Sequence, residues 1–210
     1  MRELCGKIGA ALFLLQAAFV HAQVKPDALA EYRNGNYNAA ISICLDELSA
    51  NQENLESHVV ICWSLIQLGR YEEASSYALS GRALSRYDIR LIEILGEVNY
   101  YLGRNAEALQ CFQEYINLAP EGSRIDSVYY FMGEIYIRLA RFHHADIALS
   151  TAVHYMPGNA AWWVRLAYAR ENAGDLQEAV LAYEQALFLN SQLADARRGL
   201  ERAKQSLANR

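Results

Sequence analysis

Apolar and small residues recur along this chain at spacings of three and four, the signature of helices that bury one face. The stretch 127–157 shows the pattern most plainly. Tyr129, Met132, Gly133 and Tyr136 share one helical face, Phe142, Ala145, Leu149 and Ala152 share another, and Pro157 closes the pair. The spacing predicts two short amphipathic helices joined by a tight connection. Gly133, Ala145 and Ala152 let the two axes approach closely, because side-chain size at the contact sets the interaxial distance. One such hairpin cannot bury its own apolar face and needs neighbours of the same kind. Alternation of period two never persists, so no strand is expected.

The chain supplies those neighbours. Gly35, Gly69 and Gly103 lie 34 residues apart, and Gly174 lies 34 beyond Ala140. Ala140 is the equivalent position of the fourth unit, displaced by a three-residue insertion within Glu121–Asp126. Five residues beyond each come Ala40, Ala74, Ala108, Ala145 and Ala179, and nine beyond come Cys44, Ala78, Phe112, Leu149 and Tyr183. A pattern held over five units at one period marks a repeat architecture. Leu193, Ala196, Leu200, Ala203 and Leu207 then form an apolar stripe backed by charge. Such a helix is suited to cover the last repeat's exposed face.

On these residues the sequence resembles the tetratricopeptide repeat (TPR) family, whose unit is a helix–turn–helix of 34 residues. The resemblance runs from about Val24 to Leu193 and is strongest in LIEILGEVNYYLGRNAEALQCFQEYINLAP and WWVRLAYARENAGDLQEAVLAYEQALFLN. It implies an all-α fold, a right-handed α-solenoid of about five TPR helix pairs plus a C-terminal capping helix. The expected divisions are a signal peptide at 1–22, five units over 23–191 (approximately 24–54, 55–88, 89–122, 126–159 and 160–193) and a cap at 192–210. Asp27 and Glu31 stand where the family has apolar core residues, so a short first helix is expected. Tyr115 and Glu47 stand where it prefers alanine, which should widen the packing locally.

The N-terminus has its own pattern. Arg2 and Lys7 precede an apolar run from Ile8 to Val20, which ends in Val20-His21-Ala22. The run has the length of a signal h-region and is short for a bilayer span. Export and cleavage after Ala22 are therefore expected, with an uncleaved membrane anchor as the alternative. Cleavage would leave Cys44, Cys62 and Cys111, an odd number at irregular spacing and no disulfide framework. Cys44 and Cys62 lie on neighbouring predicted helices. They either pair in an oxidising compartment or, more simply, serve as small buried apolar residues.

Composition and motifs narrow the chemistry. A net charge of −5 excludes nonspecific nucleic-acid binding, which needs a basic surface. The glycines of LGRYEEA and LGRNAEA fall at helix ends, where glycine relieves the backbone, and form no phosphate loop. Adjacent His143 and His144 do not share a helical face and make a poor chelate. No nucleophile stands beside an evident base. No enzyme activity, cofactor or metal site is expected.

The resemblance also implies a concave groove lined by the first helix of each pair. In this chain its positions are Tyr32, Trp63, Arg90, Glu97, Tyr101, Tyr130, Glu134, Arg138, Tyr168 and Glu171, with Val59, Ile66, Glu93, Tyr100 and Val164 beside them. Some family members clamp the acidic tails of cytosolic chaperones with lysine and asparagines. The matching positions here carry Val59, Trp63 and Glu97, which does not suit that ligand. Tyrosine and tryptophan are favoured in protein interfaces. The expected function is a periplasmic scaffold or adaptor that binds protein or peptide partners in a cell-envelope complex for outer-membrane assembly, secretion or pili, or periplasmic flagellar structures. Membrane association would come only through partners or an uncleaved signal. The alternative is a carrier or transport accessory holding a small apolar ligand in the aromatic groove.

Overall fold

The computed structural model describes residues 27–209. The expected signal peptide, its cleavage point after Ala22 and the start of the first unit at Val24 lie outside them. Among the described residues there are eleven helices and no strand. They are α1 (Ala28–Arg33), α2 (Tyr37–Ala50), α3 (Leu55–Gln67), α4 (Tyr71–Leu84), α5 (Ile89–Tyr101), α6 (Asn105–Leu118), α7 (Ile125–Arg138), α8 (Phe142–Tyr155), α9 (Ala160–Ala173), α10 (Leu176–Leu189) and α11 (Ala194–Ala208). They form the five pairs and final helix of the expected solenoid. As expected, α1 is short, and Asp27 caps it rather than entering the core: its carboxylate accepts from the N–H groups of Leu29 and Ala30.

Local chemistry sets the ends of the first helix in each pair. Asn54, Asp88 and Asn159 cap α3, α5 and α9 in the same way as Asp27 caps α1. Each such side chain satisfies N–H groups that have no partner within the helix. At the other end the backbone turns left-handed, with φ of 71–91° at Gly35, Gly69, Gly103 and Gly174. The next N–H then reaches back across the turn, as Arg70 N to Leu65 O at 2.9 Å, and satisfies a terminal carbonyl. The fourth turn keeps this geometry with Ala140 at φ 54°, where a β-carbon is strained.

Two layers result. The odd-numbered helices touch in sequence, α1 to α3, α3 to α5, α5 to α7, α7 to α9 and α9 to α11. The even-numbered helices make no such contacts with one another, so the odd row is the tighter, inner layer and lines the concave side. Within a pair the helices close on small residues. A β-carbon on Gly96 would lie 2.4 Å from the Phe112 ring, and one on Gly133 would lie 2.4 Å from Leu149 Cγ. The cap repeats the device: a β-carbon on Gly199 would lie 2.2 Å from the Tyr183 ring. In α11, Ala196 and Ala203 are fully buried and Leu200 is half-buried, as the stripe predicts, while Leu207 is exposed at the end.

Two expectations take physical form, a tyrosine housed at a unit junction and a pair of small buried cysteines. Tyr115 is buried, and its hydroxyl accepts from Arg124 N at 3.2 Å, in space that the inserted loop leaves open at Gly122. Cys44 and Cys62 are free thiols, both fully buried, and Cys62 Sγ donates to Ala74 O at 3.4 Å. Burial pushes the Cys44 thiol up to about 12, so it stays protonated and unreactive.

Ala140→Gly should raise stability by roughly 0.5–1 kcal/mol, the relieved left-handed strain less the entropy of glycine. Urea unfolding measures it; a variant less stable than the parent would show that Ala140 is not strained.

Candidate partner-binding groove

The inner helices carry an aromatic row. Tyr32 lies 5.7 Å from Trp63, ring centre to ring centre. Further along, Tyr101 stacks on Tyr71 at 4.6 Å and meets Tyr100 edge-on at 5.2 Å. Tyr100 packs on Phe131 at 4.9 Å, Phe131 meets Tyr130, and Tyr130 stacks on Trp162 at 4.8 Å. Trp63 and Tyr100 are half-buried, so they both fill the seams between units and border the groove. Val59, placed in the groove by the resemblance, is fully buried with Ala28 of α1 in the first core cluster and offers nothing to a partner. Ile66 and Glu93 are also buried, though both border a hollow in the groove wall.

From the second unit onward, ion pairs link neighbouring units across this face. Arg165 grips Glu134 through two bonds of 2.6 and 2.9 Å. Arg202 grips Glu171 through bonds of 3.0 and 2.9 Å, and the Tyr183 hydroxyl donates to the same carboxylate at 2.7 Å. Arg138 lies over the Tyr100 ring at 4.6 Å and donates to Tyr100 O and Asn105 Oδ1. Arg165 also approaches the Tyr168 ring at 5.4 Å. Arg90 reaches back to Glu56 and is held by Asp88, each at 2.8 Å.

The junction between the third and fourth units differs. The fourth inner helix has no Asp or Asn cap; Arg124 stands there and makes no side-chain cap. Its guanidinium turns into the groove and donates twice to Glu93 Oε1, at 3.2 and 3.0 Å. Glu97 lies 3.8 Å from the same guanidinium. Two carboxylates thus share one cation. Glu93 is 3% exposed, and the Glu97 side chain is 14% exposed. Burial pushes Glu97 up to about 7, the negative charge of Glu93 adds to the rise, and Arg124 opposes it. Burial raises Glu93 as well, against the pull of Arg124.

These groups wall a hollow of about 410 Å³ between α3, α5 and the start of α7. Of the sequence-predicted groove residues, Tyr32, Trp63, Arg90 and Glu97 meet there. Tyr101, Tyr130, Glu134 and Arg138 lie further along, and Tyr168 and Glu171 lie near the cap, so the ten form a strip rather than one site. Arg124, Trp162 and Arg165 belong to the strip and were missed. Glu93–Arg124, Glu134–Arg165 and Glu171–Arg202 all span 31 residues, a separation that differs from the repeat period and emerges only in the folded chain.

Tetratricopeptide-repeat family models match residues 94–122 and 161–193. These are the third and fifth helix pairs of the stack. The chain is a tetratricopeptide-repeat protein. Among solved structures, this TPR chain resembles MamA, with a TM-score of 0.69 at 21% identity over 80% of this chain and 97% of that one. YrrB, described as a TPR protein with an unusual peptide-binding site, gives a TM-score of 0.70 at 17% identity, over 80% and 84%. Cut9 of the APC/C hetero-tetramer Cut9–Hcn1 gives 0.72 at 21% identity, over 84% of this chain and 34% of that one. These likenesses concern the fold. A search of the curated proteins finds no match in sequence. A TPR solenoid is in general a scaffold for protein–protein interaction, and the family is typically non-enzymatic.

The raised Glu97 value has a definite sign. A carboxyl whose value rises from 4.5 to about 7 on folding takes up a proton with folding, so its stabilising contribution is complete below pH 4.5 and fades as pH climbs to about 7. Glu97→Gln should flatten that slope and gain on the parent, on the order of 1–3 kcal/mol, between about pH 5 and pH 8. Urea unfolding of both proteins across that range reads it directly. Parallel pH profiles would contradict the shared-cation geometry.

Proposed function

We propose that this TPR protein is an exported periplasmic scaffold whose concave strip holds a polypeptide partner within a cell-envelope complex. The observation that carries the reading is the aromatic surface of the inner helices, Tyr32 with Trp63 and then a run from Tyr101 to Trp162, interleaved with charges of both signs. An extended chain can follow such a row from unit to unit, its apolar side chains against the rings and its polar ones against the ion pairs. The export component rests on Arg2 and Lys7, the apolar run from Ile8 to Val20 and the Val20-His21-Ala22 site. The machines that fit this reading are outer-membrane assembly, secretion or pilus complexes, and periplasmic flagellar structures. YrrB, similar in fold, is described by its peptide-binding site, which agrees with a polypeptide ligand.

A carrier of small apolar ligands fits the groove less well. Its hollow is walled by Arg90, Glu93, Glu97 and Arg124, and an apolar molecule would strip these charges of water without replacing it.

Two measurements test the proposal. Chemical cross-linking in the native cell followed by capture should recover envelope proteins, and a Tyr130→Ala, Tyr168→Ala variant that folds normally by circular dichroism should lose them. Capture unchanged by the double substitution would contradict the groove reading. N-terminal sequencing of the protein from its own cells should begin at Gln23, and an intact Met1 would overturn export and cleavage.

A further inference from the structure

In the hollow at the junction of the third and fourth units two carboxylates depend on a single arginine. At the junctions on its C-terminal side each groove carboxylate has its own arginine, Glu134 with Arg165 and Glu171 with Arg202. Here Glu93 and Glu97 share Arg124, and both of its hydrogen bonds end on a single oxygen of Glu93. Glu97 accepts no hydrogen bond from any described residue, and its nearest cation is 3.8 Å away. Arg90 gives no relief, because Asp88 and Glu56 already hold it. Asp126, at the start of α7, adds another negative charge near Glu93 and Arg124. A buried carboxylate without a full partner is costly, and the cost falls when a cation arrives with its own hydrogen bonds.

The walls fit a particular shape of cation. Tyr32 and Trp63 form one side of the hollow and Ile66 and Ile89 add aliphatic surface, while the carboxylates stand on α5. Aromatic rings attract a cation across their faces and pack well against an aliphatic stem. A lysine or arginine side chain presents both, a methylene stem with a charged end.

We propose that this hollow is an anchor pocket for a basic side chain of the bound polypeptide, with Glu97 and Glu93 receiving the charge and Tyr32 and Trp63 receiving the stem. The proposal rests on the groove reading above and names the chemistry of the partner: a segment with a lysine or arginine, not an acidic tail. Glu97 titrates near neutrality, so basic-peptide binding draws a proton from it and tightens as the solution becomes more alkaline. The groups that face it and set this behaviour are Glu93 and Tyr101 on α5, Arg124 at the start of α7 and Tyr32 on α1.

The test is selection of a random linear peptide library displayed on phage against the immobilised full chain, followed by fluorescence anisotropy with a selected peptide. The selected peptides should share one lysine or arginine. Replacing that residue by norleucine, which keeps a similar stem without the charge, should weaken binding about tenfold, as should Glu97→Gln in the protein. Affinity should rise between about pH 6 and pH 8, and Glu97→Gln should flatten the rise. A selection that yields no binder sensitive to Glu97→Gln overturns the pocket. If such binders are still lost with Tyr130→Ala and Tyr168→Ala, the groove reading stands and only the anchor fails; if they are indifferent to both, the groove reading fails with it.

Discussion

In the third and fourth repeats the close approach of the two helices is set by one position on the inner helix, Gly96 and Gly133. Seven residues before the turn the chain has Ala28, Cys62, Gly96, Gly133 and Ala167, and nine residues after it Cys44, Ala78, Phe112, Leu149 and Tyr183. Where the inner residue is glycine the outer one is large and fills the space a side chain would take, as Phe112 and Leu149 do. Where the outer residue is small, as at Cys44 and Ala78, the inner one keeps a side chain. In the fifth unit the large outer residue, Tyr183, instead fills the space left by Gly199 of the final helix, so close packing is kept by a glycine on the neighbouring helix. The hairpin geometry follows, the stacking of hairpins follows from it, and so does the tight inner row that makes one side concave.

That inner row makes the groove a consequence of packing rather than a separate device. Residues one place beyond the small position, Trp63, Glu97, Glu134 and Tyr168, are half-buried on the groove side while their neighbours in sequence are buried. The ion pairs at a separation of 31 residues tie the third unit to the fourth, the fourth to the fifth and the fifth to the final helix. The insertion before α7 interrupts this regularity once. It lengthens the connection, removes the usual cap, gives Tyr115 room against Gly122 and delivers Arg124 to two glutamates. A change in loop length has altered the charge balance of the groove at one junction without disturbing the core.

Much of this was legible in the sequence. The 34-residue period, the alanine five places after each turn and the amphipathic last helix each reflect a local rule, and local rules survive without tertiary knowledge. The turn geometry was legible even at Ala140, because the period located it although its residue type did not. Arg124 was not, because aligning units to a fixed period sets aside inserted residues, and this one acts through residues 31 positions away. Val59 was misplaced because it shares its repeat position with Glu93 and Tyr130, yet in the second unit it joins Ala28 in the core. How Tyr115 is housed was not legible for a similar reason: its fit depends on Gly122, which is near in space through the shape of the loop.

The size rule within each helix pair supports the rest, and a double-mutant cycle on Gly133 and Leu149 tests it most directly. In the parent, Gly133→Ala should destabilise, since its β-carbon falls 2.4 Å from Leu149 Cγ. In a Leu149→Ala background the same change should stabilise, because the clash is gone and alanine favours a helix by about 1 kcal/mol over glycine. Urea unfolding should therefore give a coupling of about 1–3 kcal/mol with a reversal of sign. Additive effects would mean that the two helices are not held apart by this contact, and the account of how the hairpins, and hence the groove, are built would be wrong.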